Sequence, residues 1–145
     1  MPDEFDVFID QLQRKIIKED IKKHSEIIVR LFHNPKNWGK PSKEEISIFD
    51  ERRGGPKGYL LGLYLKIVDD IIINANFITD GCGAMVATAS QTTILIKGKS
   101  LHFAKNLKSE DIDTALDGLH ENEKYCADFV IETLRDIIEK YKLNQ

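Results

Sequence analysis

Apolar positions Phe5, Ile9, Leu12, Ile16, Ile17, Ile21, Ile27, Ile28, Leu31 and Phe32 recur at three- and four-residue steps, with charge between them. That spacing predicts an amphipathic helix, with a break near His24 and Ser25. The helix ends at Asn34, because Pro35 pushes the residue before it out of helical geometry. Asn34 to Ser42, which carries Trp38, Gly39 and Pro41, reads as a fixed loop. The period then shortens. Ile46 to Phe49, Tyr59 to Ile67 and Ile71 to Ile78 read as strands, the last two joined through Asp69-Asp70 as an antiparallel hairpin. Between the first two, Arg52 to Gly58 holds three Gly and one Pro and reads as a flexible loop.

From Gly83 the helical period returns. Met85, Val86, Ala89, Thr92, Thr93 and Ile96 describe a helix of small residues stopped by Gly98. Ser100 to Asn106 and Ser109 to Leu116 read as two short helices, the second opening on Ser109-Glu110-Asp111-Ile112 as a capped turn. A last helix runs from about Glu121 to Tyr141, with Cys126, Phe129, Val130, Leu134, Ile137 and Ile138 facing inward. The expected fold is α+β: a small three-stranded antiparallel sheet with helices packed on one face and at both ends. Residues 1–24 form an N-terminal helical extension, expected to pack on its own domain or on a second copy, and 25–145 form the main domain.

A chain of 145 residues accommodates one ordinary core. With 41% hydrophobic and 31% charged residues it matches a soluble globular protein, neither disordered nor fibrous. The net charge of −3, with both signs intermixed, argues against a nucleic-acid partner. No apolar run has the length of a membrane span, and Met-Pro-Asp-Glu does not open like a secretory signal. The expected location is cytoplasmic.

Candidate chemistry is sparse. No P-loop, dinucleotide fingerprint, nucleophile elbow or zinc-protease helix is present. Lys97-Gly98-Lys99-Ser100 lacks the upstream glycine and strand of a phosphate loop. His24, His33, His102 and His120 are scattered, as surface or capping histidines are. Two cysteines exclude a dense disulfide framework. Their bland reading is one buried and one incidental thiol. The sharper one starts from Thr79-Asp80-Gly81-Cys82-Gly83-Ala84-Met85, a thiol between glycines where a strand ends and a helix begins. Free N–H groups there favour thiolate, and the glycines let a bulky group approach, as at a soft-metal or persulfide position.

The order of these elements resembles the iron–sulfur cluster assembly scaffold family, the IscU type that also forms the amino-terminal domain of NifU. The likeness runs from about Ser25 to Tyr141. It is carried by Phe32-His33-Asn34-Pro35-Lys36-Asn37-Trp38-Gly39, similar to the family's Asn-Pro-Arg-Asn-x-Gly loop, and by Phe77 to Ala84. Ala87-Thr88-Ala89-Ser90, Ile96-Lys97-Gly98-Lys99-Ser100-Leu101 and Cys126 complete it. The resemblance implies three cysteines and an aspartate at one end of the molecule, holding zinc or a nascent [2Fe–2S] cluster. Cys82 and Cys126 match the second and third cysteines. Lys57-Gly58-Tyr59 stands where Cys-Gly-Asp is usual, and Tyr125 where a histidine usually precedes the third cysteine. Leu119-His120-Glu121-Asn122-Glu123 replaces the Leu-Pro-Pro-Val-Lys that members show an Hsp70-type chaperone, so that contact is not expected.

Structural zinc takes four donors and a [2Fe–2S] cluster commonly four thiolates, so one chain with two thiols holds half a site. Asp80 and His120 are the candidates for an auxiliary ligand. Three readings follow from the resemblance. One is a divergent scaffold or carrier that binds iron and a [2Fe–2S] cluster weakly or transiently, with a homodimer to supply four cysteines. Another is a module that binds no metal and docks on a cysteine desulfurase. The third is a persulfide relay through Cys82. None of the three is an enzyme, and the resemblance favours the first.

Overall fold

The computed structural model describes residues 24–145 together with Glu4, Val7 and Gln11. The helix expected over Phe5 to Ile21, its packing and the boundary at residue 24 lie outside the described residues.

Helix α1 spans Glu26–His33. Its cap is Ser25, whose Oγ accepts the Ile28 N–H at 3.1 Å and donates to the Leu116 carbonyl at 2.5 Å. One hydroxyl thus starts the helix and ties it to a distant turn. The helix stops at Asn34, as Pro35 requires. The following loop is fixed. The Lys36 N–H donates to Ser90 Oγ at 2.8 Å, Gly39 N–H to the Phe77 carbonyl at 2.8 Å and Phe77 N–H to the Asn37 carbonyl at 3.1 Å. Trp38 meets Phe77 edge-on at 5.2 Å.

Strands β1 (Ile48–Gly54), β2 (Tyr59–Val68) and β3 (Ile71–Thr79) form an antiparallel sheet in that order. Asp69 and Asp70, both at positive φ, turn the β2–β3 hairpin, and the pairing shifts by one residue beyond Lys66. The first strand corrects the sequence reading. It runs through Asp-Glu-Arg-Arg to Gly54, with Arg53 opposite Leu60 and Gly54 opposite Tyr59, and only the turn at 55–58 remains as loop. Polar residues suit an edge strand, and the half-buried Arg52 is held by Asp50 and by Asp136 at 2.8 Å.

Alternation sorts the sheet's two faces. Leu61, Leu63, Leu65 and Phe77 are fully buried under the helices. On the other face Tyr64 is buried by folding over Gly62, and its hydroxyl donates to Glu51 at 2.7 Å.

Helix α2 (Gly83–Ile96) packs on β3 and is buried on nearly every side. This explains its small residues. Its buried hydroxyls bond back to their own helix, Thr88 to the Ala84 carbonyl at 2.6 Å and Thr92 to that of Thr88 at 2.8 Å. Helices α3 (Leu101–Lys105) and α4 (Ser109–Ala115) pack against α5 (Tyr125–Leu143). Two termini differ from the expectation. The α4 cap is Lys108, whose N–H donates to Asp111 at 2.9 Å, so Ser109 is already helical. Residues Glu121–Glu123 form a 3-10 turn, and the α-helix begins at Tyr125. All six residues expected on the inward face of α5 are buried.

Candidate functional site

The site grows from the end of β3. Thr79 Oγ1 donates to the Leu60 carbonyl at 2.6 Å and accepts the Gly81 N–H at 3.1 Å, bending the chain off the sheet. Gly81 is needed because Tyr59 and Met85 close over it: a Cβ there would lie 2.7 Å from Met85 and 2.9 Å from the Tyr59 ring. Cys82 follows as the residue that caps α2, its carbonyl accepting the Val86 N–H at 3.0 Å. The free N–H groups of Met85 and Ala84 in the first turn help to lower its thiol.

Helix α5 brings the second sulfur. Cys126 lies in its first turn and is fully buried, whereas Cys82 is partly exposed. The two thiols and the phenols of Tyr59 and Tyr125 influence one another's ionisation, the two rings standing 6.4 Å apart. The consequences for charge are opposite. Hydrogen bonding from Cys126, joined by the Met85 N–H, the Tyr59 phenol and the Ala84 N–H, outweighs desolvation and lowers the Cys82 thiol to about 5. Cys126 is pushed far up by the same contact, by burial and by the charge on Cys82. The two thiols are thus shifted in opposite directions. Burial and the Tyr59 contact also push the Tyr125 phenol up.

Cys82 opens onto a cavity of ≈ 720 Å³, walled by Ile28, Val29 and Phe32 of α1, by Gly83 and Ala84 of α2, and by Tyr125. Lys57 reaches it from the turn after β1, which is closed by the Gly58 N–H on the Gly55 carbonyl at 3.2 Å with both glycines at positive φ. Opposite are His120, which accepts the Asn122 N–H at 3.3 Å, and the pair His24–Glu123 at 2.8 Å.

Four of the residues singled out from sequence therefore meet here: Cys82 and Lys57 on the cavity wall, with Cys126 and Tyr59 in the shell behind and beside the Cys82 sulfur. His120 joins the wall. Asp80 does not line the cavity; it accepts the Leu60 N–H at 2.7 Å and pairs with Arg53 at 3.1 Å, which holds its carboxyl below the usual range. Sequence reasoning missed His24 and Glu123, which lie 99 residues apart and carry no spacing signal. Among the described residues, no three His, Cys, Asp or Glu side chains are arranged to hold a metal ion. None of the described helices is long and apolar enough to cross a membrane.

Fold and site together define a small α+β domain with one thiol on the wall of a cavity and a second buried in the core. Residues 23–145 match the family described as NifU-like N terminal domain, and the chain belongs to that family. It is 32% identical over 124 residues to the iron-sulfur cluster assembly scaffold protein IscU of Haemophilus influenzae, covering 84% of this chain and 98% of the relative. To the IscU scaffold of Escherichia coli it is 31% identical over 121 residues, covering 82% and 94%. Among solved structures, the N-terminal part of a nitrogen-fixing NifU-like protein from Brucella abortus matches with a TM-score of 0.62 at 15% identity, covering 89% of this chain and 99% of that one.

Proposed function

We propose that the protein is an iron–sulfur cluster assembly scaffold or carrier whose cargo is held by Cys82 and Cys126, two chains supplying the four thiolates of one [2Fe–2S] cluster. The observation that carries this reading is the placement of Cys82 on a cavity wall, its thiol lowered by the buried Cys126, in the family's fold. Lys57 and Tyr59 do not complete the set within one chain, since an ammonium or a phenol must lose a proton before it binds metal. Their cation and hydroxyl instead favour sulfur anions beside them. A cysteine desulfurase is the expected sulfur donor, and His120 on the cavity wall is the candidate auxiliary donor, Asp80 being held by the Leu60 N–H and Arg53.

Anaerobic reconstitution with ferrous iron and sulfide tests the reading. The expected product is about one [2Fe–2S] cluster per dimer, absent from Cys82→Ser and from Cys126→Ser. A cluster held by a monomer in light scattering would refute the bridging arrangement. Failure of any cluster to form would leave a metal-free docking module.

A second reading has its own support. Cys82 is the partly exposed thiol and is lowered, while Cys126 is buried and pushed up, an asymmetry that suits sulfur transfer to Cys82.

A further inference from the structure

We propose that the groove between α1 and α2 is the docking site of this chain's own N-terminal segment, residues 4–16 lying in it as a helix antiparallel to α1. The groove has a volume of ≈ 520 Å³ and is lined by Ile27, Val29 and Leu31 of α1, with Gln91 on the α2 side. Ile27 is 37% exposed, and Ile94, one turn beyond Gln91, is 41% exposed, so apolar surface continues along both helices. At 8 residues α1 is too short to hold a helix by itself, and its outer side lies open at this groove. Val29 also lines the cavity that holds Cys82, so an occupant of the groove steadies one wall of the site.

The chain itself supplies that occupant. Phe5, Ile9, Leu12 and Ile16 recur at helical steps, whereas Glu4, Val7 and Gln11 are helical and exposed at i, i+3 and i+7. The exposed trio marks the outward side of such a helix, and the apolar stripe falls on a different side. The segment joins the domain at His24, which is fixed to Glu123 at 2.8 Å beside the first turn of α1. Residues 17–23 span up to ~25 Å when extended, ample for the chain to turn back along an α1 that is ~12 Å long. The direction also matches charge. In an antiparallel pair, Asp3, Glu4, Asp6 and Asp10 come beside Lys36 at the far end of the groove. Arg14 and Lys15 come beside Glu26 at the near end. A parallel arrangement sets the acidic end against Glu26 instead.

The test uses the full-length chain, as a mixture of isotope-labelled and unlabelled protein. Hydrogen exchange should show protected amides within residues 5–16. Carbodiimide, which joins a carboxylate to an amine in contact with it, should couple Asp6 or Asp10 to Lys36 within one chain, giving cross-linked peptides of a single isotope. Ile9→Asp combined with Leu12→Asp should speed exchange of the Val29 to Phe32 amides roughly tenfold or more, and Ile27→Asp should do the same from the groove side. Gln11→Asp, on the exposed side, should leave them unchanged. The parent's exchange and cross-links need no substitution, so they decide even where a variant fails to fold. No iron or sulfide enters the experiment, which makes its result independent of the cluster reading. Segment amides that exchange like free chain, cross-links of mixed isotope that put a second copy in the groove, or α1 exchange unmoved in the folded variants would overturn the proposal.

Discussion

Gly81 has no room for a side chain, and its neighbours are the site itself. An added Cβ would sit 2.7 Å from Met85 and 2.9 Å from Tyr59. Gly81→Ala should therefore cost ~1–3 kcal/mol in urea unfolding, the range for overpacking, and should loosen Tyr59 from Cys82. The paired thiols make a second prediction. With its thiol lowered to about 5, Cys82 should react with iodoacetamide at a rate that levels off by neutral pH, whereas an ordinary thiol is still gaining there. Cys126 should stay unmodified until the protein unfolds. Linkage fixes the sign for stability. The folded state sheds the Cys82 proton near pH 5 and an unfolded thiol near ~8.5, so between these the unfolded chain binds more protons and stability rises with pH. This contribution is complete above the unfolded value and lost as pH falls through 5. Cys82→Ser should flatten that slope in pH-resolved thermal melts.

At the scale of elements, hinge-like junctions decide how the cavity is walled. Helix α1 presents Ile28, Val29 and Phe32 to it, and its start depends on Ser25, which caps Ile28 and also grips Leu116. Ser25→Ala removes both bonds and leaves a helix N–H and a turn carbonyl to find water. The expected loss is ~1–2 kcal/mol by chemical denaturation, with Ser25→Thr recovering part of it. A similar economy governs the join of β1 and α5. Gly54 carries no Cβ because the Phe129 ring occupies that place, 2.6 Å from where it would be. This close approach holds the turn bearing Lys57 beside the first turn of α5, where Cys126 lies.

At the scale of the molecule, the site is assembled from the turn after β1, the start of β2, the β3–α2 junction and α5, elements spread over seventy residues. Lys57 and Tyr59 are the two positions where better donors would complete it. Lys57→Cys combined with Tyr59→Asp offers three thiolates and one carboxylate, a set zinc accepts at ~2.3 Å and ~2.0–2.2 Å. The double variant should bind zinc orders of magnitude more tightly than the parent in chelator competition. Its Tm should rise with added zinc while the parent's does not, since a ligand that binds only the folded state stabilises it. An unchanged affinity would mean that the turn does not deliver its side chains to the sulfurs.

Periodicity alone determined the β2–β3 hairpin, helix α2 and the buried face of α5, because each repeats apolar or small residues at the spacing of one kind of element. It stopped β1 five residues short. The strand's last five residues are Asp-Glu-Arg-Arg-Gly, and only partners on β2 and α5 make them a strand. The four residues of the proposed site were singled out through family resemblance, since no local spacing joins Lys57 to Cys126. Tertiary structure alone decided the rest. It set one thiol in view and the other behind it, paired His24 with Glu123 across 99 residues, and turned Asp80 toward Arg53. Burial, contact and charge are properties of neighbours in space, and a sequence orders its residues only along the chain.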